Sequence, residues 1–169
     1  MEQVAETGEA RAAVQGPRLA AEVVAMAAGA GIRLDYSPRS LALVDRIIDG
    51  LRRAHPPAAP ATPSVPARPS GPAPHAGDAR HTGAETPPSA PSTLTALGGY
   101  AGEVLRRHAG AVWVDFDAGQ REVFGQPFGI RSTDGRVWNP LGKAVKRYQA
   151  GAGESLRLFY LAVAGHARA

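Results

Sequence analysis

Residues 111–140 read AVWVDFDAGQREVFGQPFGIRSTDGRVWNP, and the fold class turns on this stretch. Ala111-Val112-Trp113-Val114-Asp115-Phe116 combines β-branched and aromatic residues in the manner of a strand, and Asp117-Ala118-Gly119-Gln120 has turn composition. A second extended stretch is expected near Arg121–Phe124, continuing irregularly through Pro127 to Arg131. Asp134-Gly135 is a hairpin signal, because both residue types tolerate the backbone of a tight turn, and it leads into Arg136-Val137-Trp138. Asn139-Pro140 then supplies an N-cap and a first helical residue, so the strands end where a helix begins. The stretch predicts a small antiparallel meander sheet of about three strands.

Working outward, helical periodicity surrounds this sheet. Downstream, Leu141, Ala144, Val145 and Tyr148 share one face of a helix running to about Gln149; Gly151-Ala152-Gly153 breaks it, and a last apolar helix spans Glu154 to Ala164. Upstream, Leu94, Leu97, Ala101, Val104 and Leu105 predict a helix from Thr93 to His108, stopped by Gly110. Further back, Pro17 suits the first turn of a helix to Ala28, and Ile32-Arg33-Leu34-Asp35 alternates like a short strand. Ser37-Pro38 begins another helix, with Leu41, Val44, Ile47, Ile48 and Leu51 on its apolar face and Asp45, Asp49 and Arg53 on its wet side.

Between these halves lies a segment of different composition. Residues 56–92 hold 11 of the chain's 15 prolines, four charged groups, and Val65 as the one large aliphatic. Such a segment cannot bury enough apolar surface to offset its chain entropy, which predicts a disordered tether with polyproline II character. The upstream piece, about 40 residues, is near the lower limit for independent folding, and its helices need an apolar partner that the downstream half can provide. The expected organisation is a flexible N-terminus (1–16), a helical half (17–54), a disordered Pro/Ala-rich linker (55–92) and an α+β half of the same domain (93–167). The fold class is therefore α+β: the meander sheet packed by four to five helices and interrupted by a long insertion.

Composition excludes several functions. The 169 residues include no cysteine, which removes thiol nucleophiles, disulfides and cysteine-containing zinc sites. The acidic start, Met1-Glu2-Gln3-Val4-Ala5-Glu6, is unlike a secretory signal, and no apolar run reaches membrane-spanning length, so a cytoplasmic setting without membrane contact is expected. Gly135 to Gly142-Lys143 has the wrong glycine spacing for a phosphate loop, and Ala144 stands where a metal-binding hydroxyl would be needed. His55, His75, His81, His108 and His166 show no paired ligand spacing, and neither metal nor cofactor is expected.

Two constellations remain. On the helix after Asn139, Lys143, Lys146 and Arg147 oppose the apolar face, with Arg131 and Arg136 just before it. Residues 93–169 carry 10 basic and 6 acidic groups while the other segments balance, so the net charge of +4 arises there. Such a face can meet an acidic protein or, less favourably, nucleic-acid phosphate; the plainer account is a solvated helix surface. The second constellation is Tyr100 and Glu103 beside Gly98, Gly102 and Arg107. It reads either as a small enzyme's pocket converging with nearby basic residues, or as close helix packing with an ordinary Glu103–Arg107 pair. Packing is the preferred reading, as it is for Trp113, Phe116, Phe128 and Trp138 as core rather than stacking platforms.

The order Leu97-Gly98-Gly99-Tyr100-Ala101-Gly102-Glu103-Val104, then Trp113, then Asn139-Pro140 with Lys143, Lys146 and Arg147, then Ser155–Tyr160, resembles small uncharacterised bacterial α+β domains. Leu34–Leu41 resembles their entry segment, and the likeness covers about residues 31–53 and 94–165. It implies a glycine-containing helix, a meander sheet and C-terminal helices, and no particular activity. The functional expectation is a non-enzymatic accessory, regulatory or immunity-like domain that binds a macromolecule, foremost a protein, through Arg131, Arg136, Lys143, Lys146 and Arg147.

Overall fold

The computed structural model describes residues 11–57 and 90–166. Six helices and three strands follow in the order α1 (Arg11–Gly29), α2 (Leu41–Ala54), α3 (Ala90–Ala109), β1 (Val112–Asp115), α4 (Ala118–Phe124), β2 (Phe128–Arg131), β3 (Val137–Trp138), α5 (Pro140–Ala150) and α6 (Leu156–His166). Turns of 3-10 helix at Pro38–Ser40 and Ala152–Glu154 lead into α2 and towards α6. The strands form one antiparallel sheet in the order β1-β2-β3, with Trp113 opposite Ile130 and Ile130 opposite Trp138. The class is α+β, with a meander sheet and one helix more than expected. The Pro/Ala-rich linker, apart from its two ends, lies outside the described residues, as do residues 1–10 of the N-terminal segment.

Helix α3 is the centre of the packing, and its glycines are the reason. A Cβ on Gly98 would lie 2.5 Å from the Leu141 Cα and 2.6 Å from the Pro140 carbonyl oxygen, so α5 passes against bare backbone there. At Gly99 it would lie 2.6 Å from the Leu19 Cβ of α1, and at Gly102 it would strike the Trp113 indole. Helix α1 answers with its own stripe of small residues, burying Ala12, Gly16, Ala20, Val23 and Ala27. One continuous core joins residues before and after the tether: Val23, Leu41, Val44 and Ile48 with Leu97, Val104, Leu105, Ile130, Leu141, Leu156 and Val163, all fully buried or nearly so.

Four local expectations need correction. Pro17 lies inside α1, so residues 11–16, expected as part of a flexible N-terminus, are helical. Proline costs a helix one hydrogen bond, but the early turns are held from outside: the Ala12 amide donates to Asp115 Oδ1 at 3.1 Å, and Gly16 sits under Trp113. Ile32–Asp35 is not a strand. The Ile32 amide donates to the Ala27 carbonyl at 2.8 Å and that of Gly31, with φ +73°, to Ala28 at 3.0 Å, a Schellman closure that turns the chain towards α2. Arg121–Phe124 is the end of a helix, because Asp117 and Gln120 form a capping box that starts α4. Helix α3 begins at Ala90, so it takes in the last residues assigned to the linker. The Asp134-Gly135 hairpin is present, with Gly135 at φ +85° between β2 and β3.

These contacts separate two glycines of similar helical context. Gly98→Ala gains helix propensity but drives Cβ into the α5 backbone, and a net loss of about 1–2 kcal/mol is expected in urea unfolding. Gly50→Ala, whose Cβ would meet nothing within 4 Å, should gain about 0.5–1 kcal/mol. The same sign of change in both variants would contradict the packing described.

Candidate functional site

The Tyr100–Glu103 constellation is consumed by structure. Tyr100 is wholly buried, and its hydroxyl accepts the Tyr36 amide at 2.8 Å. The Ser40 hydroxyl donates its one proton to the Ser37 carbonyl at 2.6 Å, so in the 2.7 Å Tyr100–Ser40 bond the phenol is the donor. Burial pushes the Tyr100 phenol up from 10.0, which keeps that proton in place. Tyr36 is held in a left-handed backbone conformation (φ +60°), its ring stacked on Tyr100 at 5.1 Å with the Arg107 guanidinium 3.7 Å above it.

Glu103, with 1% of its side chain exposed, accepts from Arg106 Nε and Nη2 (2.9 and 2.8 Å), Arg107 Nε (2.8 Å) and Trp113 Nε1 (3.3 Å). Burial alone would raise its pKa. The hydrogen bonds from Arg106, Arg107 and Trp113 outweigh burial and hold the carboxyl below 4.5. Neither residue has a free donor or acceptor to offer a substrate.

The basic face on α5 is only partly outside. Arg147 is buried, with 4% of its side chain exposed: Nε lies 3.3 Å from Asp45 Oδ1 and Nη2 lies 2.8 Å from Asp49 Oδ2. Asp45, expected on the wet side of α2, is buried too. It accepts the Leu156 amide at 2.9 Å and the Ser155 hydroxyl at 2.6 Å, so its charge serves both Arg147 and the N-terminus of α6. Arg147 is therefore removed from the candidate binding residues. A helical wheel places it opposite the apolar stripe, but α2 covers that side with carboxylates about 100 residues away in sequence. The one signal for this in the sequence is the Asp45/Asp49 pair, spaced four apart on one helix face.

The other cations remain accessible to different degrees. Lys146 is exposed, while Lys143 is half-buried and paired with Glu154. Arg136 is exposed beside Asp134 at 3.5 Å, with Nη1 3.0 Å from His166 Nδ1. Arg131 is exposed at the end of β2, opposite Val137. Arg136 and Lys143 are linked by an aromatic ridge: His166 stacks on Trp138, Trp138 meets Phe159 edge-on, and the Lys143 ammonium lies 6.0 Å from the Phe159 ring.

Beside that ridge is a feature sequence reasoning did not anticipate, a cleft of about 340 Å³ walled by Val123, Phe124, Val145 and Phe159 and also lined by Lys143 and Lys146. Helix α4 forms one wall, although it has no buried residue of its own and Val123 is 79% exposed. Asn139 sets the opening: its side chain accepts from the Gly142 amide at 2.8 Å and donates to the Phe124 carbonyl at 3.1 Å, tying the end of α4 to the start of α5. Among the described residues no His, Asp and Glu cluster has the composition of a metal site, and no helix is long and apolar enough to cross a membrane. Compared with protein-family models, curated proteins and solved structures, the chain matches none.

The buried and exposed cations should respond oppositely to mutation. Asp45→Ala leaves the buried Arg147 with Asp49 as its one carboxylate and uncaps α6, and is expected to cost about 2–3 kcal/mol. Lys146→Glu should stay within about 0.5 kcal/mol of wild type, and equal losses in urea unfolding would contradict the assignment.

Glu103 makes a pH prediction. Its folded pKa lies below its unfolded value, so its contribution is complete above about 4.5 and is lost as pH falls through the folded value. The stability gap between wild type and Glu103→Gln should thus narrow between about pH 5 and pH 3, and a constant gap would refute the carboxylate's role.

Proposed function

We propose that this chain is a non-enzymatic, intracellular macromolecule-binding domain whose partner is a protein, engaged through the cationic face that Lys143, Lys146 and Arg136 present around the Phe159–Trp138–His166 ridge. The observation that carries this reading is the contrast between the two polar constellations. Tyr100 and Glu103 have their hydrogen-bonding capacity filled by the fold, whereas Lys146 is left exposed beside an apolar cleft. Apolar surface flanked by cations favours an acidic protein over bare phosphate, since phosphate recognition needs no greasy wall. The absence of cysteine fits a reducing compartment. Arg131 is not part of this face: it is paired with Val137, one step out of register from the Ile130–Trp138 pair, so its side chain leaves the sheet on the side away from the ridge.

The test is a charge reversal at accessible positions. Lys146→Glu combined with Arg136→Glu should keep the unfolding temperature of the parent protein and lose at least tenfold in affinity for an acidic partner captured from the host. If capture is unaffected, this face is not the interface. If the parent instead binds mixed oligonucleotides at low salt, with affinity falling steeply as salt rises, the partner is nucleic acid and the protein reading fails.

A further inference from the structure

We infer that the cleft between α4, α5 and α6 is an anchor pocket for a short acidic peptide segment that inserts one bulky apolar side chain between Val123 and Phe159; this rests on the reading of the cationic face as a protein-binding surface. The first support is the construction of the cleft. Antiparallel neighbours such as β1 and β2 can be joined by a loop of two to five residues, yet here residues 116–127 intervene and fold into α4. That helix is held by its capping box, by the Asn139–Phe124 bond and by one ring contact, Phe124 on Phe116 at 4.9 Å. It leaves Val123 outside the core, on the wall of the cleft. A detour that contributes so little to the core and leaves a large apolar side chain at an opening is accounted for by something that occupies the opening.

The second support is charge, which selects the occupant. Lys143 and Lys146 sit three apart on α5 and both line the cleft, and Lys146 has no carboxylate within ion-pair distance among the described residues. A second copy of this chain docking face to face would bring the same lysines together and be repelled. A neutral hydrophobic segment would leave Lys146 unused, Lys143 being paired with Glu154. An acidic segment places a carboxylate over the Lys146 ammonium while its apolar residue is covered by Phe124, Val145 and Phe159. At about 340 Å³ the cleft is at the small end of binding pockets, which fits one side chain rather than a folded surface.

A random twelve-residue library displayed on phage and selected on the whole protein tests this whatever the natural partner is. The expected enrichment is for sequences with two or more Asp or Glu flanking a single Phe, Trp or Leu. A synthetic copy of the enriched peptide should shift the amide resonances of Val123, Phe124 and Phe159. Val123→Asp, at a position 79% exposed and so harmless to folding, should weaken it at least tenfold. Replacing its apolar residue by Ala should do the same. Lys146→Glu should weaken it several-fold, an effect that shrinks as salt rises. If acidic peptides are enriched but Val123→Asp and the Ala replacement change nothing, the anchor pocket is refuted while the cationic face survives. If no acidic sequence is enriched, both readings fall.

Discussion

Helix α3 can be touched on more than one side because it carries glycine where its neighbours cross. Gly98 lets the first turn of α5 lie against backbone, Gly99 admits Leu19 of α1, and Gly102 admits the edge of Trp113. Each of these residues weakens the helix in isolation by roughly 1 kcal/mol, and the approach each one permits returns the loss as packing. Because α1 precedes the tether and α5 follows the sheet, this single helix brings chain-distant elements into one core. Trp113, wedged against Gly16 and Gly102, then positions the sheet, with Phe128 edge-on to it at 5.8 Å.

Polar groups divide into those spent on this assembly and those left over. Asp45, Arg147, Ser155 and the amide of Leu156 join α2, α5 and the start of α6 in one buried network. Glu103 with Arg106, Arg107 and Trp113 joins α3 to β1, and Tyr100 with Ser40 and Tyr36 joins α3 to the entry of α2. Each of these charges or hydroxyls is expensive to bury without partners, and the fold supplies them at every group but the buried Arg147 Nη1. Lys146 is among the cations these networks do not claim, and it stands next to an opening whose wall, α4, is secured by caps instead of core contacts.

Sequence reading and structure agree where a signal is local. Ser37, Asn139 and the Asp134-Gly135 pair are recognisable because a cap or a tight turn is decided by side chains within three residues of the backbone they serve. Asp117–Gln120 carries an equally local signal, a capping box, but its strand-like flanks, Val114 to Phe116 and Val123-Phe124, favour a hairpin turn when only the sequence is weighed. Pro17 misleads for a different reason: its preference for a first turn is a helix-internal argument, overridden here by β1, which holds the N-terminal end of α1.

By itself the chain determined its class, the caps at Ser37 and Asn139, the Asp134-Gly135 turn, the core faces of α2, α3 and α5, and the concentration of positive charge in its final part. All of these follow from interactions that span one or two turns, or from composition. Only the tertiary structure decided that Arg147 faces inward, that Asp45 caps a helix over a hundred residues downstream, and that α4 opens a cleft beside Lys143 and Lys146. A helical wheel knows one solvent and one core direction, whereas α5 is covered on two sides. Which of its cations meets a carboxylate and which meets water depends on where α2 lands, and α3's glycines set how closely the helices around it can pack.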